Sequence, residues 1–155
     1  EMCIRDSFFV SEWLTFYVNP VYNHLVYNSD IIYQGKTLST KGKQVLDVPK
    51  WTVISGLIVK YKDFEVIPQM RYIGKRYGDC QHKEVVPSYA VFDLKLNYVK
   101  ERLGMLKALK LSFELDNIFD KKHVSVINAM DDSITGTTYY TGAPFTAKAS
   151  ISFVF

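Results

Sequence analysis

The chain has 155 residues, the length of one domain, and its net charge of +3 is too small and too dispersed to point to nucleic acid. Charged residues make up 23%, the level of ordinary folded chains, so the composition does not indicate disorder. Aromatics reach 15%, with 11 Tyr and 10 Phe, favouring strands and interfaces over helices.

No run approaches about 18 consecutive apolar residues, so a transmembrane helix is excluded. A membrane barrel is not, because its strands need only about 9–11 alternating residues. The opening EMCIRDS (1–7) matches no pattern around it, and no basic stretch with an apolar core and cleavage site is present. Residues 1–7 are set apart as a doubtful, non-native segment, and 8–155 is expected to be a fragment lacking its N-terminal part.

WLTFYVNPVYNHLVY (13–27) holds a weak strand interrupted by Pro20, and residues 30–49 form a long connection. WTVISGLIVKY (51–61) alternates, with Trp51, Val53, Ser55, Leu57, Val59 and Tyr61 on one face. After a tight turn at Lys62-Asp63, FEVIPQMRYI sets Phe64, Val66, Pro68, Met70 and Tyr72 against Glu65, Gln69 and Arg71. Pro68 cannot donate to a ladder, and a local bulge is expected there. Beyond a longer loop at 78–88, AVFDLKLNYV sets Ala90, Phe92, Leu94, Leu96 and Tyr98 against Asp93, Lys95 and Asn97. An intermediate connection (100–107) leads to LKLSFELD, with Leu109, Leu111, Phe113 and Leu115 against Lys110, Ser112, Glu114 and Asp116. A long loop (120–144) precedes the final segment, whose apolar row is Phe145, Ala147, Ala149, Ile151, Phe153 and Phe155.

Across these five segments the apolar rows carry no charge. A soluble sheet also has one apolar face, but three features favour lipid. The segments run to about ten residues, whereas soluble strands average about five or six. Trp51 and Tyr61 bracket a row that, tilted, spans roughly 23–25 Å between aromatic bands. Tyr98, Phe153 and Phe155 are further members of that girdle. Connections also alternate short and long, the rhythm of short periplasmic turns and long outer loops. With Phe155 at the periplasmic rim, every long connection falls outside. Five or six strands do not close a membrane barrel, and an open edge in lipid leaves backbone groups unpaired. The piece is then either part of a larger barrel or unstable as it stands. A soluble lipocalin-like ligand-binding barrel, its apolar rows turned inward, is the competing reading. An outer-membrane enzyme would need a Ser/His pairing that is missing.

Two stretches carry a family resemblance. LKLSFELDNIFDKKHVS (109–125), an alternating strand followed by Asn117, Ile118, Phe119 and Asp120, resembles the penultimate strand of TonB-dependent outer-membrane receptors. TTYYTGAPFTAKASISFVF (137–155), with Tyr140, Gly142, Pro144 and a terminal Phe, resembles their last strand. GKQVLDVPKW (42–51) and YIGKRYGD (72–79) resemble passages of the same barrel, so the likeness covers residues 40–155. It implies the last strands of an antiparallel 22-stranded transmembrane β-barrel in the outer membrane of a Gram-negative bacterium, plugged by an N-terminal domain absent here. It also implies import of a scarce ligand, most often a ferric siderophore, with energy from the TonB complex acting through the missing N-terminal region. Cobalamin, other metal chelates and carbohydrate are alternative cargoes. Phe155 is implied to be read by the barrel-assembly machinery.

Arg71, Lys75 and Arg76 lie toward the outer end of their strand, where cations can pair with an anionic chelate. The alternative is pairing with lumen carboxylates such as Asp93. In the loop 127–140, Asp131, Asp132, Tyr139 and Tyr140 are candidate ligand contacts, since loops carry function more often than strands. Glu114 and Asp116 share a face with Lys110 and read as a lumen charge network rather than an acid–base pair. Neither Cys3 and Cys80 nor His24, His82 and His123 has metal-ligand spacing. No catalytic residue, metal or cofactor is expected.

Overall fold

The computed structural model describes residues 2–3, 6–103, 106–128 and 137–154. Its strands, in chain order, begin with β1 (Met2–Cys3), β2 (Asp6–Ser11) and β3 (Leu14–Tyr22), followed by the short pair β4 (Ile31–Tyr33) and β5 (Lys36–Leu38). The long strands β6 (Trp51–Tyr61) and β7 (Phe64–Ile73) come next, then another short pair, β8 (Arg76–Tyr77) and β9 (Val85–Val86). β10 (Tyr89–Leu103), β11 (Leu106–Asp116), β12 (Val124–Asn128), β13 (Thr138–Thr141) and β14 (Thr146–Val154) complete the series. The described residues form an eight-stranded sheet in the order β1-β3-β6-β7-β10-β11-β14, with β2 also on β3, and three two-stranded ladders, β4-β5, β8-β9 and β12-β13.

Every pairing is antiparallel, and the long strands β3, β6, β7, β10, β11 and β14 pair in chain order, with the short ladders inserted in the connections between them. The registers keep the two kinds of row apart. Tyr61 faces Phe64 and Val53 faces Tyr72, while Lys60 faces Glu65. Further along, Leu96 faces both Val66 and Phe113, and Leu111 faces Ile151. A slip of one residue would exchange the faces, so the sorted rows hold the register.

The weak strand expected within 13–27 is β3, and it pairs with β6 without a break from Leu14↔Val59 to Tyr22↔Trp51 despite Pro20. A further strand lies beyond it. Met2 faces Tyr22, Cys3 faces Val21 and Phe8 faces Phe16, one register shared by β1 and β2. The connection expected at 100–107 is much tighter, because β10 runs to Leu103 and β11 starts at Leu106. At Pro68 no bulge forms. The β6–β7 ladder omits the pairs between Gly56↔Gln69 and Val59↔Val66, then resumes in the same register. On the other side Leu94↔Pro68 is part of an unbroken ladder with β10. A bulge would have turned the following side chains to the wrong face.

Short turns at 12–13 and 62–63 lie at one end of the sheet, together with the Leu103↔Leu106 pair, and the described parts of the connections 23–50, 74–88 and 117–145 lie at the other. Buried apolar side chains among the described residues are Leu38, Cys80, Val86, Val91 and Ile127, all at the long-connection end. The apolar rows between the ends stay open, with Leu57, Phe113, Ile151 and Phe153 all exposed. An apolar face of that extent has to be covered by another apolar phase.

Candidate functional site

One face of the sheet is an ionic wall built by cross-strand pairs. Lys60 lies 3.7 Å from Glu65, Arg71 3.3 Å from Asp93 and Lys95 2.6 Å from Glu114. Lys148 pairs with Asp116 in the same way. Glu114 and Asp116 thus each have their own lysine, the arrangement of a charge network. Neutral groups extend it. Ser112 Oγ donates to Asn97 Oδ1 at 2.7 Å, and Asn97 Nδ2 donates to Glu65 Oε1 at 2.9 Å, so one chain of contacts crosses β11, β10, β7 and β6. Exposed pairs of this kind contribute about 0–1 kcal/mol each. Their effect is to hold charge on one face at near balance.

The opposite face carries the aromatic bands. Trp51 and Tyr22 pack at 4.8 Å between ring centres at the long-loop end, and Phe64 and Tyr98 do the same at the short-turn end beside Tyr61. Phe153 faces Leu109 near that lower rim. Phe155 lies outside the described residues.

At the outer end of the wall, a hollow of about 350 Å³ is bordered by Arg71, Asp93, Asp116, Asn117, His123 and Ser125. Arg71 is exposed and reaches into it with its Asp93 pair intact. Arg76 belongs elsewhere. It is buried, and its Nη1 reaches Asp47 Oδ1 at 2.9 Å and the Ser125 carbonyl at 3.2 Å, while Nη2 donates to the Val124 carbonyl. That guanidinium joins three outer segments. Lys75 is exposed, with its Nζ 5.3 Å above the Tyr77 ring.

The outer segments form one packed cluster. Asp79 is buried and accepts from the Lys83 and Glu84 amides at 3.0 and 2.7 Å, folding 79–84 into a turn. His82 stacks on Tyr77 at 3.6 Å, and its Nε2 lies 2.7 Å from the Gln44 carbonyl. Asp30 accepts the amides of Thr40 and Lys41, both at 2.9 Å. Those two donors hold its carboxyl below the usual carboxylate range, Lys41 first. From the other side, Thr137 Oγ1 donates to the Gly78 carbonyl at 2.6 Å, and the Tyr139 hydroxyl bonds Glu84. Burial, then that bond to Glu84, pushes the Tyr139 hydroxyl up to about 12. Tyr140 is exposed on the same hairpin, and Asp131 and Asp132 lie outside the described residues.

Asn117 was visible in sequence only as part of a motif; its geometry supplies the reason. Its φ is +52°, in the left-handed region that Asn tolerates. Its Nδ2 donates to the carbonyls of Lys121 and Ala143 at 3.1 and 3.0 Å, and its Oδ1 accepts the Lys121 amide at 2.8 Å. Asp120 Oδ1 accepts the Phe145 amide at 3.0 Å. The two side chains therefore tie the end of β11 to the approach of β14. Among the described residues no group of His, Cys, Asp and Glu is placed to hold a metal.

Residues 7–118 match the model of a family described as TonB dependent receptor-like, beta-barrel. No curated protein matches the chain. Among solved structures it is similar to the siderophore receptor PiuA from Acinetobacter baumannii, with 20% identity and a TM-score of 0.74 over 95% of this chain and 20% of that one. The ferric citrate transporter FecA in the unliganded form is similar at 20% identity and a TM-score of 0.65, over 86% and 20% of the two chains. The ferric yersiniabactin uptake receptor FyuA from Yersinia pestis is similar at 16% identity and a TM-score of 0.63, over 92% and 21%. The chain thus spans about a fifth of these structures' length. At such identities the likeness is one of fold.

Proposed function

The chain belongs to the family of TonB-dependent receptor-like β-barrels, and from that premise we propose that it forms the closing strands of an outer-membrane receptor importing an iron chelate of the ferric-siderophore type. Such a barrel takes its remaining strands and its plug from the rest of the receptor. Energy reaches it from the TonB complex through the plug's N-terminal region. The observation that carries this reading is the strict separation of an ionic wall from a continuous apolar face within one sheet. The apolar face meets outer-membrane lipid, and the ionic wall faces the plugged interior. Phe155 serves recognition by the barrel-assembly machinery.

Within this reading Arg71 is the wall cation offered to an anionic chelate, with Asp93 holding it in place. Lys75, Tyr140, Asp131 and Asp132 contribute from the outer loops. Arg76 and Tyr139 act indirectly by keeping those loops assembled. The receptor performs no covalent chemistry.

Uptake of radioactive iron tests the proposal, with ferric catecholate, hydroxamate and citrate complexes supplied to cells carrying or lacking the full-length receptor. Uptake of one class is expected to fall to background without the receptor or without TonB. Unchanged uptake of every chelate, with the receptor present in the outer membrane, would overturn the assignment.

A further inference from the structure

The hollow beside Arg71 is ionic on one side only. The wall rows that carry Arg71 and Asp93 continue outward through Ile73, Val91 and Tyr89, with Val91 facing Arg71 and Tyr89 facing Ile73, and these three side chains also border the space. Toward the short turns its edge is therefore charged, with Arg71, Asp93 and Asp116. Toward the outer rim it is apolar and aromatic. His123 stands on that second side, its ring 4.4 Å from the Tyr89 ring and tilted by 30°.

His123 Nδ1 lies 2.8 Å from the Lys121 carbonyl, an oxygen that can only accept. The neutral ring therefore carries its proton on Nδ1, and Nε2 is an acceptor. Among the described residues nothing donates to Nε2. Gly142 makes room for it: a Cβ there would run into Nε2, and the Gly142 amide donates to the His123 carbonyl at 2.8 Å. Most other polar groups around the hollow are engaged. Asn117 bonds backbone, Asp116 pairs with Lys148, and Asp93 pairs with Arg71 and accepts the Asn117 amide. The hollow thus offers the remaining Arg71 donors and one acceptor, Nε2, across an aromatic lining.

We propose that this hollow is a subsite for an aryl-oxide arm of the chelate, a catecholate or phenolate ring joined through an amide. The ring packs against Ile73, Tyr89 and the imidazole, and its anionic oxygen meets the guanidinium of Arg71. The amide N–H donates to His123 Nε2. A citrate or hydroxamate arm has no ring for the apolar side and would lose hydration of its polar groups there. His123 is then a specificity-determining residue, and Gly142 positions it. The subsite rests on the receptor reading above and names the class of chelate within it.

The test uses the full-length receptor in detergent and four ferric complexes, those of a catechol N-methylamide, the matching catechol methyl ester, acetohydroxamate and citrate. Quenching of tryptophan fluorescence reports binding. The amide complex should bind tightest, and the ester, which lacks the N–H, about fivefold more weakly. His123→Phe keeps a ring and removes the acceptor, so it should lower the amide complex to the level of the ester and leave the ester unchanged. Gly142→Ala, which pushes the imidazole aside without removing it, should also weaken the amide complex. Arg71→Gln should weaken both aryl complexes roughly tenfold. Tightest binding of the hydroxamate or citrate complex would overturn the subsite and leave the receptor reading standing. So would a His123→Phe variant that binds the amide complex as the parent does, or that loses amide and ester alike. A receptor that binds none of the four complexes would overturn both.

Discussion

Arg76 and Asp47, 29 residues apart in sequence, meet at 2.9 Å, and the same guanidinium holds the carbonyls of Val124 and Ser125. One side chain thus pins three outer segments that no strand ladder joins. Replacing it with Met keeps the apolar stem and removes every donor. The expected cost is about 2 kcal/mol, a typical value for charge-assisted bonds. Amides of β12 should then exchange with deuterium roughly thirtyfold faster, while those of β6 and β7 stay unchanged. Unchanged exchange in β12 would show that the hairpin is held by other contacts.

Asn117→Ala removes three side-chain hydrogen bonds to backbone and leaves a non-glycine residue at positive φ. A loss of about 2–4 kcal/mol is expected from the unpaired backbone groups and the strain together. Urea unfolding of the full-length receptor in detergent measures it. Asn117→Gly, which relieves the strain alone, should recover only the smaller part.

Gly56 lies under the ring of Tyr17, whose hydroxyl donates to Gln69 at 2.9 Å across β6. A Cβ at Gly56 would sit 2.5 Å from the Tyr17 oxygen and 2.7 Å from the Pro68 carbonyl. Gly56→Ala should cost about 1–3 kcal/mol. Adding Tyr17→Ala should recover only part of this, because the Pro68 carbonyl is backbone and cannot swing away. Full recovery in the double variant would place the whole clash on the ring.

Much of the sheet was readable from residues 51–116, where each strand sets a charged row against an apolar one and the period of two is unmistakable. β3 was faint because its inner row contains Tyr17 and Val21, so both faces look apolar, and Pro20 argues against a strand. The end of β10 was hidden by Lys100, Glu101 and Arg102, which resemble a turn but continue the ladder as far as Leu103↔Leu106. The loop cluster was not readable at all. Arg76 looked like a free cation near a strand end, since its partners lie 29 to 49 residues away and only folding brings them together. The Asn117 to Asp120 motif was visible as a pattern, and its clamping role required coordinates.

The Tyr139 hydroxyl, raised to about 12 by burial and its bond to Glu84, gives the outer hairpin a pH limit. Raised in the folded state, it favours the docked hairpin fully below the ordinary tyrosine range near pH 10, and that contribution is lost as pH climbs through 12. Ring-carbon NMR of labelled tyrosine should show one resonance titrating near 12 that disappears in Tyr139→Phe. A resonance assigned to Tyr139 that titrates near 10 would place the hydroxyl in open solvent.

The separation of an oily outside from an ionic inside is tested most directly by spin labels placed singly in the full-length receptor in bilayers. Labels at Leu57, Leu94 and Phe113 should be relaxed by oxygen dissolved in the lipid, and those at Asn97 and Ser112 by a water-soluble nickel chelate. The reverse pattern, with nickel reaching the first three and oxygen the last two, would contradict the account.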